Sequence, residues 1–518
     1  MNTASTTPHL GTGDWLIIVV YLAGIILFGL WFGKGQRSTR DYFLGGKNIP
    51  WWGVGLSIVA TETSALTFIG VPALSFGTNL ALIQIIIGYV IARIVLAMVL
   101  VPHYFKGEIY SPYQLLSAKF GPSARRTAAT FFLIAGTLAA GVRVYVTCIP
   151  IQLMLGADFG LNGADGIWVA ILLFIGLSLI YTCAGGIKAV VWTDAVQFAL
   201  LLGGGAFTLF YIPQFFDGGP REILEQAAAG GKLHWLNTAF SPGLPFNLWM
   251  GILGGTVQVM ASHGADQLLV QRVLACRSVA EGRKALILSA VIILPLFLMF
   301  LLIGTMLWVY YQRFPLPIPI PETTSGISQN DYVFPIFILT AVPDLVKGFM
   351  IVAILSAAMS SVSSALSALA SVSTMDIMRD LFRKERSEGD LLKFSRYSTV
   401  FWAVALAVVA YASRALPFVL NAAFALSGLT SGALLGGMLL AMYWRRGSAF
   451  PVVLGMIVSF AFMVGIQVFW KEWIAWPWYA LIGTGVTLLV ALVAFNVPPA
   501  GGPWRDAWPM RKWRGLVD

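Results

Sequence analysis

The chain has very little charge for its length: only 11% of its 518 residues are Asp, Glu, Lys or Arg, and 58% are hydrophobic. Soluble domains usually carry about 25% charged residues, so this composition excludes an ordinary water-soluble enzyme or binding domain. Cysteine is also scarce. Cys148, Cys183 and Cys276 lie far apart, with no spacing typical of a metal or redox site. The composition therefore indicates an integral membrane protein.

Motifs of several enzyme classes are absent as well. The sequence contains no Walker A phosphate loop, no HExxH zinc motif and no Gly-x-Ser-x-Gly nucleophile elbow. No polar stretch is long enough for an appended kinase or other soluble domain. We therefore expect no enzyme and no catalytic residues.

Apolar runs of about 20 residues, the length that crosses a bilayer, recur along the whole chain. They predict an all-α polytopic membrane protein of about 13 transmembrane helices, with residues 1–518 in a single domain. Two spans are interrupted by polar residues and glycine, one around 60–64 and the other within 246–271. Such interruptions at corresponding places in two halves predict broken helices around a site at the membrane midplane. They suggest five-helix repeats over 51–213 and 246–443, with peripheral helices at 13–34 and 449–496.

The net charge of +10 follows membrane topology. Only six of the 33 lysines and arginines fall in predicted outer connections, and two more, Arg93 and Arg143, fall within spans. This asymmetry predicts a plasma (inner) membrane protein with its N-terminus outside and its C-terminus in the cytoplasm. The basic residues then interact with lipid headgroups of the bilayer, and no nucleic-acid partner is expected.

One predicted helix, near residues 344–376, carries a stripe of hydroxyl groups. The serines recur at three- and four-residue steps, which places them on one helix face: Ser356, Ser360, Ser363, Ser364, Ser367 and Ser371. Hydrocarbon does not solvate this stripe, so it faces protein or a wet cavity. Neutral oxygens beside a buried carboxylate suit a dehydrated hard cation such as sodium. The alternative is that small residues simply let helices pack closely.

Several segments in this order resemble the sodium:solute symporter family. They are RDYFLGGK at 40–47, ATETS at 60–64, GGIKAVVWTD at 185–194, DQLLVQR at 266–272 and the serine helix ending near Ile377. The resemblance implies a leucine-transporter-type fold, a 5+5 inverted repeat with flanking helices. It implies secondary active transport, in which inward sodium flux drives uptake of a small polar organic solute by alternating access. Sodium is then the co-transported ion.

The resemblance also assigns the sodium ligands. At a first site it implies backbone carbonyls and serine hydroxyls of five residues: Ala60, Thr63, Ala357, Ser360 and Ser361. At a possible second site it implies a carboxylate and three serines: Asp194, Ser360, Ser363 and Ser364. The alternative for Asp194 is a structural ion pair with Lys188 or Arg272.

Solute contacts are expected from the broken helices and from the span near 124–155. By resemblance, Ser64 and Thr67 line the solute site, and Arg143 matches an arginine that meets a carboxylate in sialic-acid carriers. Glu62 stands where relatives carry a small polar residue. Because Glu62 and Arg143 both lie near mid-membrane, we expect them to pair; alternatively, Glu62 contacts a cationic or hydroxyl group of the solute.

Gln258 and His263 are further candidates for solute contacts. Two departures from the family pattern, Ile86 and Ser262, count against sugar-like or sialic-acid-like selectivity. The solute therefore stays open between a sugar, an organic acid such as sialic acid, and an amino acid. Proton coupling through Asp194 or Glu62 and a passive channel or uniporter are the alternatives to sodium symport. We expect the protein to work as a monomer.

Overall fold

The computed structural model describes residues 10–32, 38–107, 109–161, 163–320, 330–378, 387–415, 419–444 and 447–496. Within these ranges the ordered elements are all helices, and no β-strand occurs. The first nine are α1 (Thr12–Phe32), α2 (Thr39–Leu44), α3 (Trp51–Glu62), α4 (Ala65–Gly77), α5 (Ile83–Val99), α6 (Val101–Tyr104), α7 (Tyr113–Phe120), α8 (Pro122–Phe159) and α9 (Gly163–Tyr211). They are followed by α10 (Gly219–Ala229), α11 (Thr256–Gly264), α12 (Gln267–Leu274), α13 (Val279–Arg313), α14 (Val333–Ala341), α15 (Val346–Val372), α16 (Glu388–Ala412), α17 (Val419–Tyr443), α18 (Ala449–Phe469) and α19 (Tyr479–Asn496).

Nine helices of the described ranges are long and apolar enough to cross a membrane, and the bent pair α3–α4 makes up to ten. The protein is therefore a multi-pass membrane protein. The count is lower than thirteen partly because α9 includes two predicted spans, 165–184 and 188–213. An unbroken helix of its 49 residues would be about 73 Å long, whereas a bilayer core is about 30 Å thick. Gly186 interrupts it with φ 56° and ψ −160°, a conformation that glycine tolerates.

The first interrupted span is a helix broken at Thr63. The amide and the hydroxyl of Thr63 both donate to the carbonyl of Val59, at 2.8 and 2.6 Å, and ψ swings to 80°. Threonine hydroxyls compete in this way for helix carbonyls, which favours a helix end. The chain resumes as α4, and the two halves are bent by 51°. The polar run at 60–64 thus marks a real break, as the sequence predicts.

The second interrupted span contains two irregularities. A π-helix, Met250–Gly255, leads into α11, which ends at Gly264; α12 then starts after Asp266. The π-helix packs on α5 with backbone against backbone. A Cβ added at Gly88 would lie 2.0 Å from the carbonyl oxygen of Gly251. Glycine at this crossing is what lets the two helices approach so closely.

Helix α15 lies at the centre of the bundle, with 89% of its spanning window buried. Helix α1 lies at the edge, with 17% of its window buried, yet it contacts α15 directly. Tyr21 accepts a hydrogen bond from Ser356 at 2.7 Å. Asp14 accepts hydrogen bonds from the amides of Leu345 and Gly348, at 2.8 and 2.7 Å. A carboxylate at the start of a helix satisfies free amides and opposes the helix dipole, so Asp14 caps α15 from a neighbouring helix.

Candidate functional site

Asp194 of α9 is fully buried beside the serine stripe of α15. Ser360 donates to its Oδ1 at 2.6 Å, and Ser57 of α3 donates to Oδ2 at 2.5 Å. Arg272 of α12, also fully buried, forms an ion pair with Oδ2 at 3.2 Å. Of the two counter-charges considered for Asp194, the structure places Arg272 there, while the Lys188 ammonium lies over the ring of Phe32. The ion pair and two hydroxyls join four helices at one point.

The serines expected at a second sodium site lie around this ion pair. Ser364 donates to the carbonyl of Ser360 at 2.5 Å and accepts a hydrogen bond from Arg272. Ser363 donates to the same carbonyl at 3.1 Å. In this conformation Arg272 supplies the positive charge that a sodium ion would otherwise bring to Asp194. The second sodium site therefore stays a prediction.

The five residues expected at the first sodium site come from the break after α3 and from the middle of α15. These two elements meet where the hydroxyls of Thr61 and Ser364 lie 3.4 Å apart. Carbonyls in the last turn of α3, including that of Ala60, have no continuing helix to bond with. On α15, Ser361 donates to the carbonyl of Ala357 at 3.2 Å, and a donating hydroxyl keeps lone pairs for a cation. This set supplies neutral oxygens of the kind that hard cations bind.

A cavity of about 120 Å³ adjoins the break. Its wall includes all six residues expected to contact the solute: Glu62, Ser64, Thr67, Arg143, Gln258 and His263. Ser361 of the expected sodium site also lines it, so ion and solute candidates share one space. Aromatic rings of Tyr89, Phe132 and Phe297 cover other parts of the wall. Mostly apolar walls with a few polar groups are typical of pockets for small organic molecules.

Glu62 is paired with Arg93 of α5, so the prediction that it pairs with Arg143 is wrong. Glu62 Oε2 accepts a hydrogen bond from Arg93 Nη2. Arg93 is fully buried and also donates to Ser289 Oγ at 3.1 Å and to the carbonyl of Tyr89 at 3.0 Å. The reason is geometric: α3 and α5 both pack against α13, and the long side chain of Arg93 extends from α5 to the end of α3. The signal was present in the sequence, because an arginine within a span requires a partner.

His263 completes this cluster as a neutral ring. Arg93 Nη2 lies 3.1 Å from His263 Nε2, and a guanidinium only donates. Nε2 is therefore the acceptor and the ring proton is on Nδ1, which lies 2.9 Å from Ser262 Oγ. Glu62 and Arg93 then form a pair of opposite charges with a neutral histidine beside it.

Arg143 is half-buried on the cavity wall and forms no ion pair with any residue that the structure describes. Its charge interacts over a longer range with Asp266 and Glu62. Asp266 lines the same cavity and caps α12, where its Oδ1 accepts from the amide of Leu268 at 2.8 Å. Sequence analysis gave Asp266 no role at the site, although an aspartate before an apolar run signals a helix start.

Gln258 of α11 brings a second unsatisfied polar group to the cavity. Its side chain is 5% exposed, and its Oε1 has no hydrogen-bond partner among the described residues. Buried polar atoms in proteins are nearly always hydrogen-bonded. No described residue bonds the Gln258 amide, so its accessible NH₂ group is available to a ligand in the cavity.

Comparisons with known proteins agree with this geometry. The model of the sodium:solute symporter family matches residues 42–459. The sodium/sialic acid symporter SiaT of Proteus mirabilis is 32% identical over 86% of this chain and 88% of its own length. The sodium/sialic acid symporter NanT of Aliivibrio fischeri is 28% identical over 94% of this chain and 93% of its own.

A solved structure is similar over nearly its full length. It is a Na+-coupled sialic acid symporter in a substrate-bound outward-open state, with a TM-score of 0.84 at 27% identity, covering 95% of this chain and 99% of that chain. The family match spans most of the chain, and the relatives match over most of their own length. This protein therefore belongs to the sodium:solute symporter family, and it is a sodium-coupled solute transporter.

Proposed function

We propose that the protein imports a small organic acid, and that Arg143 binds its carboxylate. The observation that carries this proposal is a guanidinium on the cavity wall with no ion pair among the described residues. A charge at membrane depth requires a counter-charge, and a carboxylate matches the guanidinium fork with two hydrogen bonds. Two relatives are named for sialic acid, which is itself a carboxylic acid.

The sodium ion binds, in this proposal, to the carbonyls of Ala60, Thr63 and Ala357 and to the hydroxyls of Ser360 and Ser361. These residues join the break after α3 to the middle of α15, so the ion holds the two elements together next to the solute cavity. Asp194, Ser360, Ser363 and Ser364 remain the candidates for a second ion.

We further propose thirteen spans in a leucine-transporter-type 5+5 inverted repeat, with the N-terminus outside, the C-terminus in the cytoplasm of a plasma (inner) membrane, and a functional monomer. The division of α9 at Gly186 and the breaks near Thr63 and Ala265 support this arrangement. The division at Gly186 makes α9 two spans, and the other two breaks each interrupt one span. Broken helices at corresponding places are typical of inverted repeats.

Uptake into proteoliposomes tests the coupling. We expect a radiolabelled organic acid, with N-acetylneuraminic acid as the first probe of a panel, to accumulate only under an inward sodium gradient. Replacing sodium by choline at constant pH should abolish accumulation, because the oxygen ligands then lack their ion. Accumulation driven by a proton gradient alone would indicate proton coupling, and equilibration without accumulation would indicate a uniporter or channel.

Removing a single hydroxyl tests the first sodium site. Ser361→Ala should weaken sodium binding about tenfold, or about 1.4 kcal/mol, because one ligand oxygen is lost without added bulk. Sodium titration followed by tryptophan fluorescence measures this, and Ser367→Ala on the same helix is the matched control. Equal effects of the two variants, or a loss of solute binding that saturating sodium does not restore, would indicate a packing role for Ser361.

A further inference from the structure

Glu62 has one carboxylate oxygen in use and one open to the cavity. Oε2 accepts from Arg93 and lies 3.6 Å from His263 Nε2. Oε1 makes no hydrogen bond with any described residue, and it is not among the buried orphan atoms. The side chain is 13% exposed and lines the cavity, so Oε1 is the accessible oxygen.

The cluster behind Glu62 holds the carboxylate in place. Arg93 donates to four groups, Glu62, His263, Ser289 and the carbonyl of Tyr89, and is fully buried. A side chain fixed by several hydrogen bonds presents its free atom in one orientation. Glu62 therefore offers a fixed, negatively charged acceptor to whatever occupies the cavity.

The amide of Gln258 lies on the same wall, and Gln258 and Glu62 come from the two interrupted spans. Its Oε1 is buried, so its NH₂ group is the accessible end and can donate to a solute oxygen. Glu62 Oε1 is then an acceptor without a donor, and it calls for a ligand that brings one.

Charge balance selects the kind of donor. The charged groups lining or contacting the cavity are Glu62 and Asp266, both acidic, and Arg93 and Arg143, both basic. A solute carboxylate adds one negative charge, and one co-bound sodium ion neutralises it. A solute ammonium group would leave an extra positive charge at membrane depth, which is costly. A neutral hydroxyl leaves the site balanced.

We infer that Glu62 is a specificity-determining residue whose Oε1 accepts a hydrogen bond from a hydroxyl group of the solute, so the transported class is hydroxylated carboxylates. This inference rests on the proposed function, since Arg143 holds the carboxylate of the same molecule. Glu62 touches the solute and Arg93 acts through Glu62 by orienting it.

Matched solute pairs test the inference on the unaltered protein. The pairs are propionate with lactate and with 3-hydroxypropionate, and hexanoate with gluconate; alanine tests the ammonium alternative. Binding is measured by calorimetry in sodium. The better hydroxylated member of a pair should bind about ten- to a hundredfold more tightly than its partner, as expected for a hydrogen bond to a charged group. Alanine should bind no better than propionate.

The variant Glu62→Gln replaces the hydrogen-bond acceptor that faces the cavity by a donor. Arg93 only donates, so the new amide must turn its oxygen toward Arg93, which places its NH₂ group in the cavity. The acceptor becomes a donor, and the preference for hydroxylated solutes should disappear. Glu225→Gln on the exposed helix α10, which removes a carboxylate from an ion pair with Arg221 outside the cavity, is the control that keeps the preference. If Glu62→Gln does not fold, Glu62→Asp withdraws the carboxylate from the cavity by one methylene group and should reduce the preference for hydroxylated solutes.

The outcomes separate the inference from the proposed function. Equal binding of hydroxylated and plain carboxylates by the unaltered protein overturns the inference alone, as does a Glu62→Gln variant that folds and keeps the preference. Arg143→Gln should weaken both members of every pair. Failure of the unaltered protein to bind any of these carboxylates in sodium overturns the proposed function, and the inference with it.

Discussion

Replacing Asp194 by asparagine is expected to destabilise the protein by about 3–5 kcal/mol, because Arg272 then loses its counter-charge in a fully buried position. The double variant Asp194→Asn with Arg272→Gln should recover much of this loss, since neither residue leaves a buried charge behind. Chemical denaturation in detergent, monitored by tryptophan fluorescence, measures the four corners of the cycle. Lys188→Gln is the control, because Lys188 is exposed and lies outside the pair.

Additive losses in that cycle would contradict an energetically coupled ion pair. The same Asp194→Asn protein also distinguishes the two roles considered for this carboxylate. As a sodium ligand, Asp194 should affect the sodium stoichiometry: the asparagine variant would lower the Hill coefficient for sodium while the first site persists. A stability loss with unchanged sodium cooperativity assigns Asp194 to the ion pair.

Gly88→Ala is expected to be the most disruptive small substitution in the bundle, with a loss of about 3 kcal/mol or no folded protein. The new Cβ would lie 2.0 Å from the carbonyl oxygen of Gly251 and 2.9 Å from the amide nitrogen of Thr256. Both are backbone atoms, so no side-chain rotation relieves the clash. Helix α5 and the π-helix must separate instead, which also displaces Arg93 from Glu62.

The matched control is Gly24→Ala on α1, where an added Cβ meets nothing within 4 Å. It adds the same methyl group to a membrane helix at an open position. Thermal unfolding and size-exclusion profiles of the two purified variants provide the comparison. A Gly88→Ala protein as stable as the Gly24→Ala protein would show that the helix crossing is looser than the structure indicates.

The breaks and the serine helix could be predicted from the sequence because their signals are local. Four polar residues lie within an apolar run, including Thr61 and Thr63, and their side chains compete for backbone hydrogen bonds, which favours a helix end there. Serines at three- and four-residue steps must point to one side, and the burial of α15 confirms that this side does not face lipid. All six expected solute residues also line a single cavity.

Ion-pair partners could not be predicted in the same way, because they depend on which helices lie opposite each other. Two arginines within spans, Arg93 and Arg143, were possible partners for Glu62, and only the packing of α3 and α5 on α13 brings Arg93 to it. For Asp194, the sequence leaves two possible basic partners, Lys188 and Arg272. The fold decides between them by directing Arg272 inward from α12. Hydrophobic patterns predict which residues are buried. Predicting ion pairs also requires knowing how each helix is rotated about its own axis.

The cap that Asp14 places on α15 has a mechanical consequence. Sliding α15 past α1 would break the hydrogen bonds from Leu345 and Gly348, as well as the bond between Ser356 and Tyr21. It would also leave Oδ1 of the buried Asp14 without the two amides that donate to it, which is costly in a membrane protein. Helix α1 is therefore mechanically coupled to the helix that carries the serines proposed to bind sodium. Any rocking motion that carries the ion across the membrane must treat the two helices as one rigid body or first detach them.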